Sequence, residues 1–181
     1  MKFSCVAATL ALSICTSVSA ETYIEVDYTQ TKIKSSYPTI GNLETNPDMV
    51  GVLLGTDLAS NFSVEGLLAT GLSKSDTTKN GATQTTPVGT KINSYYGIFA
   101  KPKMKLSDGI ELFARVGYVH GSSTGSAAGN SIDTSSGNWA YGAGLGYSLS
   151  PKLYLTGSLL QTKTKNSVDS SATVVGLGYR F

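Results

Sequence analysis

The chain has 181 residues, 40% hydrophobic and 14% charged, and its 14 Lys and Arg against 12 Asp and Glu leave a formal net charge of +2. That length suits one domain with a full core, and the balanced charge excludes the basic field that a nucleic-acid partner needs. With one histidine, His120, and two cysteines, Cys5 and Cys15, both close to the amino end, the sequence offers no metal-ligand cluster and no cofactor motif.

Lys2 precedes an apolar run from Cys5 to Cys15, followed by Thr16-Ser17-Val18-Ser19-Ala20. This is the form of a secretory signal peptide over residues 1–20, cut after Ala20, with a single domain over 21–181. The apolar run is too short to cross a bilayer about 30 Å thick. Ile14 stands before Cys15 where lipidation requires a small residue, so a lipoprotein is not expected.

From Glu21 onward the pattern has period two, the mark of strands. In the first predicted strand, Thr22 to Thr31, Ile24, Val26 and Tyr28 alternate with Glu25 and Asp27. A polar stretch from Lys32 to Pro47 leads to a second strand, Asp48 to Thr56, and the turn-rich Asp57 to Asn61 to a third, Phe62 to Leu72. Residues 73 to 90 read as a surface loop. The fourth strand, Lys91 to Ala100, has ambiguous faces, because Tyr95 and Phe99 oppose Ile92, Tyr96 and Ile98. Pro102 to Gly109 reads as a tight return. The fifth strand, Ile110 to Val119, alternates clearly, with Ile110, Leu112, Ala114, Val116 and Tyr118 against Glu111 and Arg115. Residues 121 to 137, rich in Gly, Ser, Ala and Thr, read as a third long loop. The sixth strand, Asn138 to Leu149, sets Trp139, Tyr141, Leu145 and Tyr147 against Gly142, Gly144 and Gly146. A turn at Ser150-Pro151-Lys152 gives a seventh strand, Leu153 to Thr162, and a fourth polar loop leads into the last, Ala172 to Phe181.

Long and short connections therefore alternate along an even number of strands. That asymmetry marks an all-β, eight-stranded antiparallel up-and-down transmembrane β-barrel, whose turns are short on one side of the membrane and long on the other. Alternation also explains a mean hydropathy near zero in a membrane protein, since only half of each strand meets lipid. The six strand charges, Glu25, Asp27, Glu65, Glu111, Arg115 and Arg180, each lie opposite an apolar face, so they are expected inside. A midplane Arg on the lipid face costs about 2–4 kcal/mol. In a barrel this narrow they are expected to form a salt-bridged plug.

These features together resemble the small eight-stranded bacterial outer-membrane β-barrel family, of the OmpX, Ail and OmpA-transmembrane-domain type. The resemblance implies a bacterial outer-membrane location and a C-terminal assembly signal formed by Phe181, Tyr179, Leu177 and Val175, read by the barrel-assembly machinery. It implies a monomer in contact with outer-membrane lipid and lipopolysaccharide, without enzymatic activity, whose loops serve adhesion or surface protection through a host or surface ligand. A small solute channel is the alternative. His120-x-Ser122 also resembles the His and Ser of lipid A deacylases, but Ser123 stands where that family has Asn, and Asp133 is the only acidic residue nearby. Gly142-x-Gly-x-Gly146 keeps strand period with no helix after it, and is read as barrel interior. Asn61-Phe62-Ser63 matches a glycosylation sequon at a proposed short turn, where no modification is expected.

Overall fold

The computed structural model describes residues 21–37, 41–73, 75–79, 82–83, 88–127, 130–163 and 168–181. The expected signal peptide, residues 1–20, lies outside them. Eleven strands follow in chain order: β1 (Thr22–Tyr37), β2 (Gly41–Thr45), β3 (Asp48–Ala59), β4 (Phe62–Gly71), β5 (Ser75–Lys79), β6 (Ala82–Thr83), β7 (Val88–Ser107), β8 (Ile110–Ala127), β9 (Asn130–Ser148), β10 (Leu153–Lys163) and β11 (Val168–Arg180).

Eight of them, β1, β3, β4, β7, β8, β9, β10 and β11, make a closed antiparallel barrel. Closure comes from β1 pairing with β11, from Tyr23↔Arg180 to Ser35↔Val168. Backbone bonds from Phe181 N–H to the Thr22 carbonyl and from Asp57 N–H to the Glu21 carbonyl tie the start of β1 and the end of β11 into the short-turn rim. Among the described residues the barrel wall leaves no strand edge open, as a bilayer interior requires, since an unpaired backbone group there has no water to satisfy it.

The outer wall carries the apolar residues: Val26, Leu54, Leu68, Ile98, Val116, Leu145, Leu159 and Leu177 are exposed. Aromatic rings border this band. Tyr96, Tyr118, Trp139 and Tyr141 lie toward the long-hairpin end, and Tyr147, Tyr179 and Phe181 toward the other. Between the cross-strand pairs Ile110↔Tyr147 and Tyr118↔Trp139 the strands climb roughly 20 Å, at about 3.3 Å per residue and about 40° of tilt. That depth and its aromatic girdles suit a bilayer.

The structure corrects the strand limits in several places. The stretches expected as loops at 32–47, 73–90 and 121–137 are largely strand: β1 runs on to Tyr37 and pairs with β2, β5 bridges β2 and β7, and β8 with β9 forms one continuous hairpin to Ala127↔Asn130. Apolar alternation stops where lipid stops, but backbone pairing does not. The return expected at Pro102–Gly109 shrinks to Asp108-Gly109, with Gly109 at φ 89°. A side chain is strained there, so glycine fits the two-residue hairpin. Pro102 has no N–H to give, and the β7–β8 ladder skips from Ala100↔Val116 to Lys103↔Phe113 around it. The strand continues past the proline, which carries Lys101 and Lys103 inside. A register shift between Ile92 and Ser94 settles the faces of β7: Asn93 is the extra residue, so Ile92, Tyr95 and Phe99 all turn inward while Tyr96 and Ile98 face out.

Candidate functional site

The inner wall at mid-depth is a layer of charge. Arg115 on β8 is its centre, 2% exposed, with Nε donating to Glu65 Oε2 at 2.7 Å and Nη2 to Glu65 Oε1 at 3.2 Å and Glu25 Oε1 at 3.1 Å. Tyr23 Oη donates to Glu65 Oε1 at 2.8 Å, and Thr156 Oγ1 to Glu25 Oε1 at 2.9 Å. The forked guanidinium thus joins β1, β4 and β8 across the lumen, the two-pronged geometry that makes such bonds strong. Lys101 adds a second cation, 3.3 Å from Glu65 and over the rings of Phe113 and Tyr23 at 4.5 and 5.1 Å.

Below this layer, toward the short turns, Lys103 pairs with Asp57 at 2.6 Å and approaches Glu111 at 3.8 Å, while Ser63 Oγ donates to Asp57. Lys101 reaches Glu111 from above at 3.9 Å. Four of the six residues singled out from sequence, Glu25, Glu65, Glu111 and Arg115, are therefore linked in one network, and Asp27 lies beside Glu25 over Gly176. Arg180 stands apart: its guanidinium lies 4.4 Å over the Tyr154 ring and donates to Ser148 Oγ. Asp57, Lys101 and Lys103 were missed because strand ends were drawn short of them. Tyr23 and Thr156 were missed because their role is visible only across strands.

The lumen is nearly filled. Phe113 faces Gly144, Arg115 faces Gly142 and Glu111 faces Gly146 on β9, and a Cβ on Gly178 would strike the Tyr154 ring. Among the described residues the charge layer is flanked by a cavity of about 570 Å³ at the short-turn end, beside Asp57, Lys103 and Arg180, and one of about 120 Å³ toward the long hairpins.

His120 and Ser122 do not meet as base and nucleophile. The His120 ring lies 5.2 Å from that of Tyr96, Ser122 Oγ shares a hydrogen bond with Ser94 Oγ, and Asp133 accepts from Thr124. Phe181, Tyr179, Leu177 and Val175 all face outward, with the Tyr179 and Phe181 rings edge to face at 5.5 Å.

The family described as outer membrane protein beta-barrel domain matches residues 4–181. The chain belongs to this family. Outer membrane protein X of Escherichia coli is 34% identical to it over 90 residues, 49% of this chain and 52% of that protein. Attachment invasion locus protein of Yersinia enterocolitica is 29% identical over 87 residues, 48% of each. The chain spans about half the length of these curated relatives. The crystal structure of Ail of Yersinia pestis, in complex with the heparin analogue sucrose octasulfate, shares the fold at TM-score 0.63 and 22% identity, covering 91% of this chain and 100% of that one. This family member is thus a β-barrel of the bacterial outer membrane, of the OmpX and Ail type. Short turns of such barrels face the periplasm and long connections the outside.

Proposed function

We propose that the protein is a non-enzymatic surface-interaction protein, holding a ligand outside the cell through its long hairpins. The observation that carries this reading is the β8–β9 hairpin. β9 pairs with β8 out to Ala127↔Asn130, but with β10 only as far as Thr162↔Ala140. Among the described residues, positions 131–139 therefore present one unpaired edge, on which an extended segment of a partner can add as a further strand. The relatives named for attachment and invasion support the same reading. The outer wall meets lipid and lipopolysaccharide, and the outward C-terminal face suits the barrel-assembly machinery.

The test replaces residues 122–136 by a short Gly-Ser link and measures heat-modifiable gel mobility, adhesion of expressing cells and planar-bilayer conductance. The barrel should fold, because the removed pairs lie beyond the Tyr118–Trp139 girdle, and adhesion should be lost. Unchanged adhesion, with a large steady conductance from the wild type, overturns the proposal in favour of a channel. That second reading draws on the two cavities flanking the charge layer, which make Arg115 and its two carboxylates a closed gate.

A further inference from the structure

The smaller cavity has a floor formed by Asp27 and Arg115 and walls that include Leu53, Ile92, Tyr95, Phe99 and Leu160. At about 120 Å³ it approaches the roughly 150 Å³ of an apolar protein cavity that takes up benzene. Its floor has an electrostatic imbalance. Glu65 is held by Arg115 and Lys101, and Glu25 by Arg115, but Asp27, 3% exposed, has no ion pair among the described residues, and its Oδ1 accepts no hydrogen bond. Glu25 and Asp27 stand on the same face of β1 and converge on Gly176, where an added Cβ would collide with Asp27 Oδ1, Thr156 Oγ1 and Glu25 Oε1. Arg115 gives Nε and Nη2 to the other two carboxylates. Two carboxylates this close, out of water, do not both stay ionised unless a further positive charge joins them.

We propose that this charge is a ligand: the upper lumen binds a small organic cation, a primary ammonium group on a compact apolar body, with Asp27 as its counter-ion. An ammonium group brings three donors and no acceptor. Thr31, whose Oγ1 has no hydrogen-bond partner, lines the same cavity four residues farther along β1, beside the space left for the apolar body. The apolar walls select against a bare inorganic ion, which would lose its hydration there. The charge layer beneath closes the path inward, so the site is a pocket filled from outside.

The experiment titrates the barrel, folded in detergent micelles, with n-butylammonium chloride at pH 7 and follows amide NMR shifts of Thr31, Gly51 and Ala172. Saturating shifts at these positions are expected, weakened at least tenfold by Asp27→Asn and abolished by Ala172→Leu, which fills the cavity without touching the charge layer. The neutral isostere 1-butanol should bind the wild type at least tenfold more weakly than the amine. Absence of saturable shifts, shifts confined to the lipid-facing wall, equal affinity for amine and alcohol, or an undiminished Asp27→Asn affinity each overturns the proposal and leaves a shared proton on the carboxyl pair. Should Asp27→Asn not fold, the alcohol comparison and Ala172→Leu decide.

Discussion

Replacing Arg115 with alanine should be among the most damaging single changes in the barrel, and the structure says how damaging. The side chain is 2% exposed and makes three hydrogen bonds to two carboxylates, Glu25 and Glu65, that are themselves fully or almost fully buried. Removing it leaves Lys101 beside Glu65 at 3.3 Å but no cation on Glu25. Breaking a buried pair in this way costs about 3–5 kcal/mol, set against a total stability of about 5–15 kcal/mol for a domain. Urea unfolding of the barrel in lipid vesicles, followed by tryptophan fluorescence and gel mobility, measures the loss. The triple variant Arg115→Met, Glu25→Gln, Glu65→Gln removes the charges together, and replacing a buried ion cluster by neutral groups is often close to neutral in cost. It should recover most of the stability, because the penalty lies in the stranded carboxylates. A loss below about 1 kcal/mol for Arg115→Ala, or a triple variant no better than the single, would refute the reasoning.

Tyr23→Phe removes only the 2.8 Å donor to buried Glu65 Oε1 and should cost about 1.5–3 kcal/mol in the same unfolding assay, as for a hydrogen bond to a charged group. Gly109→Ala places a side chain at φ 89° and should cost about 1–2 kcal/mol, read as a lowered urea midpoint with an unchanged slope. Deleting Phe181, whose N–H bonds to Thr22 and whose ring packs on Tyr179, should lower the yield of folded protein in the outer membrane several-fold. Ser135→Gly, on the exposed hairpin, should leave that yield unchanged; equal yields would remove any assembly role from the carboxyl end.

The alternation of Ile110 to Tyr118 against Glu111 and Arg115 was enough to assign β8 and its inward charges, because lipid on one side and a narrow lumen on the other leave each residue type one place to go. The upper reaches of β8 and β9 were not legible. Their Ser, Thr and Gly residues sit outside the bilayer, where backbone pairing alone holds the strand and no apolar face is required. β7 hid its faces for a different reason: one extra residue at Asn93 changes the parity of everything before it. Lys101 was missed because the fourth strand was ended at Ala100, ahead of a return expected from Pro102. Here the missing N–H falls at a gap in the ladder, so the strand survives it. The partnership of Glu25 with Arg115 spans 90 residues of sequence, and only closure of β1 on β11 brings such pairs within reach.

The same closure bears on the proposed surface interaction, because it leaves the lumen little freedom to vary. Several bulky inward side chains stand against bare backbone on the neighbouring strand: Arg115 against Gly142, Phe113 against Gly144, Asp27 against Gly176, Glu25 and Tyr154 both against Gly178. A Cβ on Gly144 would meet the Gly157 carbonyl and Phe113, and one on Gly178 the Tyr154 ring. A change of size at any of these positions must be met by a change on its partner, so the lumen can be retuned only by coupled substitutions. The β8–β9 hairpin is under no such constraint. Beyond Ala140 it pairs only within itself and with β7, its side chains from Ser131 to Ser136 are exposed, and its outer edge is unpaired among the described residues. Single substitutions there alter what the surface presents while leaving the charge layer, and with it the fold, untouched.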